Sequence, residues 1–133
     1  MGYEIYTRLP RGRARVEFCG VGGIDLLPLL EGETDMIVVD CVQFGAPPGT
    51  VHCIAWDALP RTSTAISSHG LGLRETVEIG AILYPGAMPE RITLVGIEGR
   101  CFDRTREYMT REVQQAVGKA VETVEKLVAR GQQ

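Results

Sequence analysis

The run Met36-Ile37-Val38-Val39, closed by Asp40, constrains the fold of this chain more than any other segment. Consecutive apolar and mostly β-branched side chains leave no polar face, the pattern of a strand buried on both sides in a parallel sheet. Such a strand needs a layer above it and a layer below it, and the sequence offers helices for both. Residues 71–83 carry apolar side chains at Leu73, Val77, Ile79, Ala81 and Ile82 before Tyr84-Pro85-Gly86 stops the helix. From Thr110 onward, Val113, Ala116, Val117, Ala120, Val121, Val124, Leu127 and Val128 keep an i, i+3, i+4, i+7 face that can cover a sheet.

The other elements follow from local pattern. Tyr3 to Leu9 sets Ile5 and Leu9 on one helical face before Pro10-Arg11-Gly12 breaks it. Arg15-Val16-Glu17-Phe18-Cys19 alternates like a strand, and Ile24 to Leu30 reads as a short helix with Pro28 in its first turn. Gly45-Ala46-Pro47-Pro48-Gly49 is a turn, after which Val51 to Trp56 gives a strand expected to pair antiparallel with its neighbour. Arg91 to Ile97 is a further strand, and 57–70 is a polar loop. Strands alternating with helices predict an α/β fold: a three-layer sandwich, with a mostly parallel twisted sheet and helices on both faces, spanning 1–133 as one domain.

Composition narrows the function classes. With 133 residues, 44% hydrophobic and 23% charged, the chain can bury a core without disulfides or a structural metal. Its 14 Lys+Arg against 17 Asp+Glu, a net charge of −3, form no basic stripe for nucleic acid or an anionic membrane. No apolar run reaches a membrane span of about 20 residues, and the first residues do not have the layout of a signal peptide, so a cytoplasmic location is expected. Cys19, Cys41, Cys53 and Cys101 are scattered without metal spacing and read as reduced thiols, the first three in or at the ends of apolar runs.

Candidate chemistry is sparse. Gly20-Val21-Gly22-Gly23 lies between a strand and a helix, where a nucleotide fingerprint would lie, but it lacks the third glycine, and a simple turn is the preferred reading. Asp40 closes the most apolar strand, and ligands gather outside the carboxyl ends of strands in open α/β sheets, although a carboxylate there could equally cap a turn. His69, in Ser67-Ser68-His69-Gly70-Leu71, can ligate a metal, act as an acid/base or merely cap a helix; His52, inside a strand, reads as structural. Ser67 or Ser68 with His69 and Asp40 would make a triad only on paper, because no G-x-S-x-G elbow is present. Cys41 is flanked by apolar residues and makes a poor nucleophile. Asp40 with His69 is the better pair, a carboxylate and an imidazole suited to nickel or zinc.

The ordered segments Gly20-Val21-Gly22-Gly23-Ile24-Asp25, Ile37-Val38-Val39-Asp40-Cys41-Val42, Gly45-Ala46-Pro47-Pro48-Gly49-Thr50-Val51-His52, Ser67-Ser68-His69-Gly70-Leu71 and Leu94-Val95-Gly96-Ile97-Glu98 together resemble the nickel-iron hydrogenase maturation protease family. The resemblance implies an endopeptidase that removes a C-terminal extension from the precursor of a hydrogenase large subunit once nickel has been inserted. The substrate's nickel is then the recognition signal, contacted by Asp40 and His69, with Asp40 also the catalytic candidate. The alternatives are a non-catalytic, chaperone-like relative that binds the nickel-loaded subunit and, less favoured, a nucleotide-binding module. No nucleic acid partner and no membrane insertion are expected.

One departure goes with the resemblance. Family members begin with a strand and a G-x-G-N loop, then a D-D/E-G-x-G segment that supplies a first acidic ligand and opens the first helix. Met1-Gly2 resembles the tail of that segment and Tyr3 to Leu9 the helix. Glu4 falls within the helix and does not match the ligand motif. The expectation is that Met1 is an internal methionine of a longer reading frame; a rearranged short form and a non-catalytic relative are its rivals. A sheet without that strand would leave neighbouring edges open.

Overall fold

A computed structural model describes residues 1–19, 23–59, 72–99 and 110–131. In chain order these form helix α1 (Gly2–Arg8), a 3-10 turn (Gly23–Leu29), strands β1 (Asp35–Val42) and β2 (Val51–Ala55), a second 3-10 turn (Trp56–Ala58), helix α2 (Leu73–Leu83), strand β3 (Arg91–Glu98) and helix α3 (Arg111–Gly131). The sheet order is β1-β3-β2. β1 runs parallel to β3, and β2 antiparallel to it. The expected antiparallel pairing of β2 is therefore present, but with a different partner: β3, far along the sequence, sits between the two strands that the glycine-proline turn connects.

β3 is central because both of its faces are apolar. Leu94, Val95 and Ile97 are each 0% exposed. With alternating side-chain directions, Val95 and Ile97 face α3, where they join Val113, Ala116, Val117, Ala120 and Val124 together with Ile5 of α1. Leu94 faces the other way, into a cluster with Val42, Leu59, Leu73 and Val77. Helices thus cover both faces, and the three layers read from the sequence are present. α3 starts where Thr110 Oγ1 accepts the Val113 N–H at 3.5 Å, a side-chain cap on an otherwise orphan donor. The spacing of its valines and alanines sets its buried stripe.

The first strand is less enclosed than its sequence implies. Met36 to Cys41 are only half-buried, and Val42 alone is fully covered. Among the described residues no strand pairs with the outer edge of β1. A groove of about 1380 Å³ opens there, lined by Ile37 and Val39 of β1, Leu29 of the first 3-10 turn and Leu127 of α3. Beyond it runs the segment Arg15–Cys19, which the alternation predicts as a strand and which forms none. A ladder needs a neighbour about 4.8 Å away, and among the described residues this segment pairs with no strand. Arg15 instead ties the segment sideways, donating to the Leu29 carbonyl at 2.7 Å and pairing with Glu33.

Two smaller expectations also change. Pro28 falls near the end of its 3-10 turn rather than in the first turn of an α-helix; a short 3-10 stretch tolerates one missing donor there. Cys53, expected in an apolar run, is exposed although its cross-strand neighbour Val95 is buried, whereas Cys19 and Cys41 are half-buried; all three are free thiols.

Candidate functional site

Asp40 lies two residues before the end of β1 rather than closing it, because the ladder with β3 continues through Cys41 and Val42. Parity along the strand puts its side chain on the same sheet face as Val38 and Val42. Its Oδ1 accepts the Cys41 N–H at 2.8 Å, and the residue lines the groove along the open edge. The neighbouring Cys41 thiol, on the opposite face, is pushed up to about 11, first by burial and then by the Asp40 charge. A thiol with that value is protonated at neutral pH, so the sequence-based rejection of a Cys41 nucleophile agrees with its surroundings.

Sheet register places further polar groups on the Asp40 face. Asp40 is paired with Gly96 of β3, and Gly96 is paired with His52 of β2. The three residues form one row across the sheet, with Asp40 and His52 two strand spacings apart, about 10 Å. Val42 fills the room left by glycine: a Cβ on Gly96 would sit 2.7 Å from Val42 Cγ1. One step further along β3, Glu98 is paired with Val42. Its side chain is 1% exposed, yet each carboxylate oxygen has a partner: Oε1 accepts the Gly45 N–H at 2.9 Å, and Oε2 lies 2.8 Å from His52 Nε2.

Sequence reasoning missed Glu98 and left His52 without a partner. The available signal was an acidic residue at the end of an apolar strand, in the 94, 96, 98 register of a buried face. The partner lies 46 positions away, and only strand register reveals it.

The remaining sequence candidates divide by position. His69, Ser67 and Ser68 lie outside the described residues, as do Gly20, Val21 and Gly22 of the glycine loop. Gly23 begins the first 3-10 turn. Glu4 sits in α1 and pairs with Arg8 one turn on. Among the described residues, no three His, Cys, Asp or Glu side chains gather to hold a metal ion. Chemically, the Asp40 carboxylate can add one oxygen ligand to a metal that arrives with ligands of its own, or accept a proton from water.

A three-layer α/β fold with a carboxylate near the end of a parallel strand supports many chemistries, and comparison with known proteins defines the class. The sequence profile described as hydrogenase maturation protease matches residues 10–127. The chain belongs to the hydrogenase maturation protease family, a family of peptidases. Hydrogenase expression/formation protein HupD of Rhizobium leguminosarum bv. viciae is 28% identical over 106 residues, covering 78% of this chain and 52% of that protein. HupD of Rhodobacter capsulatus is 35% identical over 81 residues, covering 59% and 38% respectively. The chain thus spans about half the length, or less, of these curated relatives. In fold it is similar to the hydrogenase maturating endopeptidase HybD from Escherichia coli, with a TM-score of 0.75 at 23% identity over 97% of this chain and 82% of that one. The hydrogenase maturation protease HybD from Thermococcus kodakarensis gives 0.69 at 24% identity, over 86% and 78%.

Proposed function

We propose that this protein is an endopeptidase that removes the C-terminal extension of a nickel-iron hydrogenase large subunit after nickel insertion, with the substrate's nickel contacted by Asp40 and His69. Family membership over residues 10–127 carries this reading, and the position of Asp40 at the groove supports it. The metal is part of the substrate. One carboxylate and one imidazole bind a divalent ion weakly by themselves, but they add useful affinity to an ion already held by another protein's side chains. Metal loading then becomes a condition of tight binding.

For the hydrolytic step, Asp40 has two chemically sufficient roles: ligating the substrate's metal so that it polarises the scissile carbonyl or its water, or taking the proton of the attacking water. Both need the ionised carboxylate, so Asp40→Asn removes either. The test is incubation of the nickel-loaded precursor with the protein and with Asp40→Asn, reading C-terminal truncation by mass spectrometry. The expected loss is at least about 100-fold in rate, the scale of a removed general base, with unchanged melting. Processing by Asp40→Asn at the parent rate would contradict the assignment. Binding of the precursor without any truncation would instead identify a chaperone-like relative.

A further inference from the structure

The connection from β1 to β2, residues 43–50, leaves the sheet beside Asp40 and is fixed with unusual completeness. Gly45 donates its N–H to Glu98 Oε1 at 2.9 Å. Gly49 N–H donates to the Glu98 carbonyl at 2.8 Å, and Glu98 N–H donates to the Thr50 carbonyl at 2.9 Å. The ring of Phe44 meets the ring of His52 edge-on, with centroids 5.1 Å apart, and His52 in turn holds Glu98. On its far side the loop is wedged against α3, where a Cβ on Gly49 would come within 2.7 Å of the Glu112 carbonyl oxygen.

A single residue of β3, Glu98, therefore contacts the loop through its backbone and through Oε1, while Oε2 is held by His52 of β2. A buried carboxylate is an expensive way to fill a core position; an apolar side chain there would pack with less desolvation cost. What the carboxylate adds is geometry, since one directed bond fixes the loop at Gly45 and a second, to His52, holds the carboxylate in place, where apolar packing would let the loop slide. The side of the loop turned to solvent carries Gln43, Gly45 and Pro47, all exposed. This exposed strip begins three residues after Asp40, at the carboxyl end of β1, where an incoming substrate would lie.

We propose that Glu98 and His52 are a positioning pair, holding the 43–50 loop as the wall against which the C-terminal segment of the large subunit lies beside Asp40. This rests on the function proposed above. Neither residue touches the reacting atoms; Glu98 acts through the loop, and His52 acts through Glu98. The pair should therefore govern how tightly the precursor is held, and Asp40 how fast it is cut.

The experiment measures three quantities on folded protein: amide exchange at Gly45, affinity for the nickel-loaded large-subunit precursor, and the single-turnover cleavage rate. In Glu98→Ala, Gly45 exchange should quicken and affinity fall by about tenfold, the scale of one lost hydrogen bond to a charged group, with the cleavage rate of bound precursor changed less than about threefold. Glu98→Gln, whose amide can accept from Gly45 and donate to His52, should restore both quantities. His52→Leu, which leaves the Gly45 bond in place, should weaken binding by a smaller factor and serves if Glu98→Ala does not fold. Unchanged affinity in a variant whose Gly45 amide is freed overturns the positioning role, as does a Glu98→Gln variant no better than Glu98→Ala. A parent protein that binds but never cleaves, with affinity still following Glu98, rejects the peptidase reading and retains the wall.

Discussion

Two extended segments flank the sheet and meet opposite fates. Val51–Ala55 finds β3 and forms an antiparallel ladder, and the loop leading into it is fastened by Glu98. Arg15–Cys19 has an equally strand-like alternation, yet it faces an open groove and forms no ladder. Alternation sets what a segment can do, while the presence of a neighbour at hydrogen-bonding distance decides whether it does so. The closed side of the molecule should be rigid and costly to disturb, and the open side compliant.

That contrast can be broken by mutation. The largest effect is expected at the centre of the sheet: Leu94→Ala, at a fully buried position of β3, should cost about 2–5 kcal/mol in urea unfolding. Phe18→Ala on the open side, where the ring is 50% exposed and meets Tyr3 edge-on at 5.5 Å, should cost about 1 kcal/mol or less. Equal costs would mean that the groove side is as tightly packed as the core. Next in size is Gly49→Ala. Gly49 has φ +87° and sits against the Glu112 backbone, so a methyl group is both strained and obstructed, and a loss of about 1–3 kcal/mol is expected by thermal melting.

Smaller effects sharpen the same comparison. Iodoacetamide should label the exposed Cys53 before the half-buried Cys41, whose thiol stays protonated at neutral pH; peptide mapping of a partial reaction gives the order. The least effect belongs to Asp35 and Arg91, a two-bond ion pair at 2.6 and 2.9 Å on the solvent-exposed start of the β1-β3 ladder. The Arg91 hydrogen bonds hold the Asp35 carboxyl below its ordinary value, so the pair stabilises above that value and stops doing so as acid protonates it. Asp35→Asn should melt slightly earlier than the parent at neutral pH, and the difference should close below about pH 3.9 as the folded carboxyl titrates. A gap that persisted in acid would remove the ion pair as its cause.

What was legible in the sequence was what repeats locally. The stripe of α3, the apolar runs of β1 and β3 and the helix at Tyr3 to Leu9 are each fixed by neighbours within a few positions, and each is present. The partner of β2 was not legible, because choosing β3 over β1 depends on the whole sheet. The Arg15–Cys19 segment forms no strand for the same reason: its pattern is strand-like, and no neighbouring strand is present among the described residues. At the site, Asp40 was visible from its strand, whereas Glu98 gained its meaning only when register brought it to His52 and Gly45. His69 and the glycine loop at 20–22 lie outside the described residues.

The proposed activity is a metal-conditioned cleavage of one partner. The direct measurement is the intact mass of the large-subunit precursor after incubation with this protein, in parallel with and without nickel. The expected result is loss of a single C-terminal peptide from the nickel-loaded precursor and no change in the nickel-free one. Equal truncation of both, or an unchanged mass in both, would contradict it.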